Sequence, residues 1–301
     1  LEKSAHTGIS AVSWGLLFAL AFIWGSSFIM IKYALVINGQ ATLKPEQVGA
    51  LRMVIASLSL LPITWRHRKW FRSHWKPLLI VGVFGNGLPA FLFAFAQTRI
   101  DSSLSGMLNS ATPLFALLIG VFLFQRTVGN RQVIGVLLGL IGAVILIWSS
   151  GSPDVPAEPL YAGMAVLGSF CYAVSVNTIK SRLHSIPNMA IAGMALIFAG
   201  VPCGAYLSLS DLGHRLETIP GAWQSLASVT TLAIVATAFA LVLFNKLVDQ
   251  TDAVFSSSVT YLLPLVAIVW GVLDGEHVSL LQLFCMAVVI GGVILVSRSA
   301  R

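Results

Sequence analysis

The eleven carboxylates of this chain are Glu2, Glu46, Asp101, Asp154, Glu158, Asp211, Glu217, Asp249, Asp252, Asp274 and Glu276; the six histidines are His6, His67, His74, His184, His214 and His277. Each sits in a connecting segment or at the end of an apolar run, never in the middle of one. General acid–base catalysis needs a proton acceptor held against substrate, and metal-assisted hydrolysis needs several ligands converging on one point. Neither constellation is present, so no catalytic residue, metal site or cofactor is assigned and no enzyme is expected. A proton-driven pump usually places an ionisable group at depth, and none is expected here; phosphate-sugar carriers want cationic clamps, for which Arg52 is the one candidate. Cys171, Cys203 and Cys285 lie far apart in apolar runs and read as small hydrophobes, not as a disulfide or metal set.

The remaining polar residues offer binding chemistry. Pro113 lacks an N–H and leaves the carbonyl of Asn109 unpaired; Pro264 does the same for Thr260. In apolar surroundings such a carbonyl must find protein, water or solute. Ser105, Asn109, Ser110 and Thr112 cluster near the first proline, and Ser256, Ser257, Ser258, Thr260 and Tyr261 near the second. Either these are kinked helices whose hydroxyls bond their own backbone, or they line a cavity with Pro113 and Pro264 as hinges. Trp24 lies mid-run beside Ser26 and Ser27, where an indole N–H needs an acceptor. Arg52 can snorkel outward, pair with Glu46 or bind a substrate carboxylate, with structural pairing the simpler reading. Gly82-Val83-Phe84-Gly85-Asn86-Gly87 has the wrong spacing for a nucleotide loop and reads as a loosened helix ending at Pro89. The candidate substrate-binding set is Trp24, Ser27, Asn86, Asn109, Thr112, Tyr172, Ser257, Thr260 and Tyr261.

The elements that must position these residues are membrane helices. The 301 residues are 57% hydrophobic and only 10% charged, with a mean hydropathy of +0.88. Soluble domains carry about 25% charge, so lipid must cover most of this surface. The net charge of +7 follows membrane topology and gives no reason to expect a nucleic-acid partner. Spanning helices need about 20 apolar residues. Ten such spans are predicted, roughly 11–37, 46–65, 77–97, 102–124, 131–149, 160–179, 188–210, 222–246, 253–273 and 279–297. With the N-terminus cytoplasmic, Lys3, Arg66, Arg68, Lys69, Arg72, Lys76, Arg126, Arg131, Lys180, Arg182, Lys246, Arg298 and Arg301 lie inside. Those are thirteen of the 18 basic residues, against Lys32, Lys44, Arg99 and Arg215 outside. Both termini are therefore expected in the cytoplasm of a cell with an inner (plasma) membrane. Trp65, Trp70, Trp75, Trp148, Tyr161, Tyr206 and Trp223 fall where interfacial anchors belong. The start at Leu1-Glu2, without methionine, suggests a truncated or tagged chain, and no cleavable signal is expected because the first apolar run is of full spanning length.

The two halves repeat. Aligning Pro113 with Pro264 also pairs Asp101 with Asp252, Ser105 with Ser256, Leu114 with Leu265, Ala116 with Ala267, Gly120 with Gly271 and Val121 with Val272. A second match pairs Gly15 with Gly163, Ser27 with Ser175, Ile31 with Ile179, Lys32 with Lys180 and Leu35 with Leu183, and sets Trp24 against Tyr172. Residues 1–150 and 160–301 thus form two repeats joined by an external linker, 151–159. With five spans each, the second enters from the opposite face, the inverted-repeat plan of many secondary transporters. Gly135, Gly139 and Gly142, and separately Gly291 and Gly292, form small-residue faces that serve packing within a monomer or, alternatively, a homodimer.

This order of features resembles the EamA-type transporters of the drug/metabolite transporter superfamily. The resemblance rests on Trp24-Gly25-Ser26-Ser27-Phe28, Arg52 in the second span, and Pro-Leu at the centre of the fourth and ninth. Within that superfamily the chain is most similar to the YddG-type amino-acid exporters. Many relatives carry an acidic residue after the fourth and ninth spans; this chain has Glu276 in one place but Gln125 in the other. The resemblance implies export of small solutes. The aromatic, hydroxyl and amide lining suits a neutral or zwitterionic metabolite, amino acids including aromatic ones above all, moved by alternating access as a uniporter. A membrane-embedded enzyme, or a scaffold with a dry midplane, is the rival.

Overall fold

The computed structural model describes residues 10–124, 129–149, 158–251, 255–256 and 258–298. Gln125, Ser257 and residues 151–157 of the linker lie outside them. The described chain is helical apart from one hairpin, β1 (Val36–Ile37) against β2 (Gln40–Ala41). Its two-residue turn, Asn38-Gly39, has positive φ at both positions, as Asn-Gly hairpin turns favour. Seven helical runs are long and apolar enough to cross a bilayer: Ala11–Leu35, Leu61–Ala96, Ser102–Phe122, Asn130–Trp148, Pro159–Arg182, Asn188–Leu209 and Ala222–Val248. Val259–Leu273 and Leu280–Val296 are apolar but shorter. The protein is a polytopic, all-helical membrane protein.

Several runs are broken inside. The first comprises α1 (Ala11–Gly25) and α2 (Ser27–Leu35), which meet at Ser26. α3 (Pro45–Ser59) continues through Leu60 into α4 (Leu61–His67). α5 (Phe71–Gly82) passes through a π-helical turn, Val83–Gly87, into α6 (Leu88–Ala96). The expected loosening around Asn86 is therefore a π segment. α7 (Ser102–Asn109) and α8 (Thr112–Phe124) are separated at Ser110 and Ala111. α9 (Asn130–Trp148), α10 (Pro159–Arg182) and α11 (Asn188–Leu209) are unbroken, and α12 (Leu212–Thr218) is a short connector. α13 (Ala222–Thr231) passes through a second π segment, Leu232–Phe239, into α14 (Ala240–Gln250). α15 (Val259–Leu273) and α16 (Leu280–Arg298) complete the chain. Such π segments leave carbonyls without their usual partners and recur at functional sites.

Large apolar side chains such as Phe122, Leu209, Leu273 and Leu280 point outward, as a lipid-facing surface requires. Trp65, Trp75, Trp148, Trp223 and Tyr206 are exposed, consistent with interfacial positions. Arg68, Lys69 and Lys76 lie over the rings of Trp65, Trp70 and Trp75 at 4.7, 5.4 and 5.7 Å, forming a basic, aromatic rim along the face where α1 begins.

Phe28, Ile31, Leu35, Phe93, Leu104, Met107, Ala162, Val229 and Ala267 belong to one continuous core that also takes in Val136, Val293 and Val296 of α9 and α16. Ala50, Met53, Ala56, Leu60 and Leu196 form a separate core between α3 and α11. Two more lie toward the basic face. Leu78, Val81, Leu183, Ile186 and Met194 make one from α5, α10 and α11. Leu17, Leu20, Leu247, Val259 and Leu263 make the other from α1, α14 and α15.

The glycine faces on α9 and α16 meet each other within the chain. A Cβ on Gly135 would lie 2.6 Å from the Gly292 carbonyl oxygen, and one on Gly292 would overlap the Gly135 carbonyl. Gly142 faces Val289 and Cys285, whereas Gly291 faces open space. Close backbone approach through small residues is how membrane helices gain van der Waals contact without a hydrophobic driving force.

Candidate functional site

The site is built where the broken helices cross. Trp24 ends the last full turn of α1. Its Nε1 donates to the carbonyl of Ala236 in the second π segment at 3.0 Å, and its ring lies 5.3 Å from Phe244. The following residues each make a different contact. Gly25 lets α1 pass so close to α15 that a Cβ would lie 2.5 Å from Val266 Cβ. Ser26 accepts the Trp270 Nε1 hydrogen bond at 2.8 Å while donating to Phe22 O. The acceptor that the Trp24 N–H needs is thus a protein carbonyl, and only the ring face remains for contact. Trp24→Phe should therefore cost stability first: one buried carbonyl loses its donor, about 1–2 kcal/mol. Thermal melting should show this, with solute affinity per folded molecule changing less than threefold.

Arg52, on α3, reaches the same place from another side. Its Nε donates to Thr237 Oγ1 at 3.4 Å, one residue beyond the carbonyl that holds Trp24. The guanidinium also interacts with the hydroxyl of Tyr172 on α10. The Tyr172 ring is stacked on Phe93 of α6, centroids 6.1 Å apart, and Phe93 in turn meets Phe28 edge-on at 5.7 Å. One turn before Tyr172, Ser169 Oγ donates to Asn109 Oδ1 at 3.5 Å, bringing α7 to the same site. The Asn109 amide nitrogen has no partner among the described residues. Helices α1, α3, α7, α10 and the second π segment thus converge on Trp24, Arg52, Asn109, Tyr172 and Thr237. Trp24, Asn109 and Tyr172 were expected here. Thr237 was missed, although it is the one hydroxyl between Leu232 and Leu247; Arg52, for which structural pairing is the simpler reading of the sequence, has no carboxylate partner among the described residues.

Other expected site residues serve their own backbone. Ser27 is buried and donates to Ile23 O at 3.3 Å. Asn86 donates to Val81 O at 3.3 Å, closing the first π segment, and Thr237 closes the second by donating to Leu232 O at 3.4 Å. Thr112 Oγ1 donates to Asn109 O at 2.8 Å, so the carbonyl freed by Pro113 is satisfied locally. Pro113 stands at the start of α8 and marks a break, but Pro264 lies inside the continuous α15, so the two prolines are not equivalent hinges. Tyr261 is half-buried and packs against the main core, and Thr260 lies beside it on α15.

At the opposite face the chain is latched by charge. Glu276 accepts from Ser102 N (3.0 Å), Ser102 Oγ (2.8 Å) and Ser103 N (2.9 Å), capping α7, and from Lys32 Nζ (2.8 Å) on α2. Asp274 binds the same lysine and accepts from the Tyr33 hydroxyl. The turn that folds Glu276 back needs Gly275 at φ +84, and a Cβ on Gly271 would collide with the Glu276 carboxylate. Burial alone would raise the Glu276 pKa, but Lys32 and the Ser102 and Ser103 donors outweigh it and hold the carboxyl below its usual range. Asp101 is shifted the other way, by burial and then by the neighbouring Glu276 charge.

The sequence profile of the EamA-like transporter family matches residues 11–148 and again 160–298. YedA of Escherichia coli strain K12, described as an uncharacterized inner membrane transporter, is 25% identical over 94% of this chain and 90% of its own. A transporter of S-adenosylmethionine and S-adenosylhomocysteine from Chlamydia muridarum is 24% identical, covering 85% of this chain and 82% of that one. YetK of Bacillus subtilis, described as an uncharacterized transporter, is 24% identical over 81% and 76%. A crystal structure of a protein shares the fold, with a TM-score of 0.60 at 17% identity, covering 97% of this chain and 99% of that one.

Proposed function

Because the chain belongs to the EamA-like transporter family, we propose that it moves a small neutral or zwitterionic organic solute across the inner (plasma) membrane by alternating access. The observation that carries this reading is the convergence of Trp24, Arg52, Asn109, Tyr172 and Thr237 from five separate helical segments. An inert scaffold has no use for a guanidinium and a half-buried amide at that depth.

The proposal includes ten crossings in two inverted five-helix halves, with both termini cytoplasmic. The thirteen-to-four distribution of basic residues supports the orientation. The placement of one π segment in the third span of each half supports the repeat. On this orientation the separate α5–α10–α11 and α1–α14–α15 cores lie toward the cytoplasm, where solute enters between them, and the Glu276 latch closes the outside. Amino acids, aromatic ones included, fit the lining. The Chlamydia relative's named cargo, S-adenosylmethionine, also has an amino-acid head. Among the described residues no carboxylate lines the site, which favours uniport down a gradient, and so export of metabolites concentrated inside.

The test is counterflow into liposomes against a panel of labelled metabolites, with and without proton and sodium gradients. Exchange of at least one zwitterionic solute, independent of either gradient, is expected. Accumulation above equilibrium that follows a proton gradient would refute uniport, and absence of exchange with every solute would refute transport.

A further inference from the structure

We infer that Arg52 anchors a carboxylate group of the transported solute, an inference that rests on the transport reading above. The ion pairs among the described residues use Lys32, Lys44 and Arg215; Arg52 has no carboxylate partner there. Glu46, the nearest acid in its own helix, lies six residues earlier and so on a different helical face. It borders an apolar groove of about 440 Å³ with Val83, Phe91 and Tyr206.

The protein instead gives Arg52 two neutral oxygens. Nε is held by Thr237 Oγ1 at 3.4 Å, and the Tyr172 hydroxyl lies beside the guanidinium. Thr237 is itself fixed, because its hydroxyl closes the π turn onto Leu232 O. With Nε on Thr237 and the Tyr172 hydroxyl beside the guanidinium, the terminal nitrogens meet no carboxylate among the described residues. Their parallel N–H groups match the two oxygens of a carboxylate. A guanidinium at membrane depth is costly without a counter-charge. Within this site the described residues offer none, so the solute must bring it. Trp24 and Tyr172, both partly buried, supply aromatic surface for the rest of such a molecule, and the Asn109 amide nitrogen, without a partner among the described residues, supplies a second polar contact. A phosphate dianion would ordinarily be met by more than one cation, and no lysine or second arginine contacts this cluster among the described residues.

The experiment uses the full chain, purified and reconstituted. The probes are L-phenylalanine, L-tryptophan and L-methionine, their methyl esters, their decarboxylated amines, and phenyl phosphate. Each is scored by half-saturating concentration in counterflow and by the melting-temperature shift it induces. The free acids should engage the protein while esters and amines do not. Arg52→Gln should raise the half-saturating concentration of the acids tenfold or more, and Arg52→Lys should recover part of the loss. Thr237→Val, which keeps the charge but frees Nε, should raise KM with little change in kcat and so serves if Arg52→Gln fails to fold. Esters bound as tightly as acids, unchanged acid affinity in both Arg52→Gln and Thr237→Val, or preference for phenyl phosphate would each overturn the anchor. Counterflow confined to carboxyl-free solutes would overturn it while leaving transport standing. No counterflow with any solute would sink both.

Discussion

Glu276→Gln should lower the melting temperature by roughly 5 °C and open the face that the wild type keeps shut. The carboxylate side chain is 1% exposed and serves Lys32 and the first two residues of α7 at once. Removing its charge leaves a lysine and a helix terminus undercompensated. Lys32 is partly exposed, so the loss is set at about 2–3 kcal/mol, below the full cost of breaking a buried pair, with about 2 °C per kcal/mol for a chain of this size. Opening is read from a thiol at Ser105, which is fully buried and whose hydroxyl has no partner among the described residues. With Cys171, Cys203 and Cys285 replaced, Ser105→Cys should react with an impermeant reagent faster in the Glu276→Gln background. Equal labelling rates in both backgrounds would show that the latch does not gate. The pH dependence has a definite sign. Because the folded pKa is depressed, the stabilisation is complete above the unfolded glutamate value of about 4.3 and is lost only as pH falls through the lower folded value. The wild type should therefore lose melting temperature below about pH 4, and the Gln variant should lose less over the same interval.

Gly292→Leu should abolish folded protein altogether, whereas Gly291→Leu should be tolerated. Any Cβ at 292 runs into the backbone of α9 at Gly135 and Gly139, and neither rigid helix can move away without losing the contacts of Gly142 with Val289 and Cys285. Overpacking a well-packed interface costs about 1–3 kcal/mol even for small additions, and a leucine side chain against backbone exceeds that range. Gly291 faces open space. Size-exclusion yield of the two variants decides the matter; similar yields would mean that α9 and α16 do not approach as described. If the Gly291 variant were the one lost, the stripe would serve a contact between copies.

Part of the site was legible because its chemistry is unusual for its surroundings. Trp24 and Tyr172 are amphipathic rings far from either interface, and Asn109 is an amide beside a proline. These features need no contact information to stand out. Ser27 and Thr112 stood out for the same reason, yet their hydroxyls donate to Ile23 O and Asn109 O, because a serine or threonine within a helix can satisfy itself on the carbonyl three or four residues back. Composition cannot distinguish a hydroxyl turned to its own helix from one turned to a chamber. Arg52 was visible, but its role depends on a partner 185 positions away. Thr237 was overlooked because a single hydroxyl in an apolar span usually signals nothing.

By itself the sequence determined that this chain lives in a bilayer. Few charges, long apolar runs and basic connecting segments are local properties, and the bilayer reads them locally through hydrophobic length and loop charge. It also determined where helices begin, since prolines, glycines and polar loops interrupt each run. The tertiary structure decided everything that depends on which groups remain unsatisfied once helices pack. It gave the Trp24 N–H to Ala236, left Arg52 without an acid among the described residues, turned Glu276 into a latch and placed two π segments where the helices cross. A polar group in a membrane protein is costly only until it finds a partner, and partners from distant spans become visible only when the chain has closed on itself.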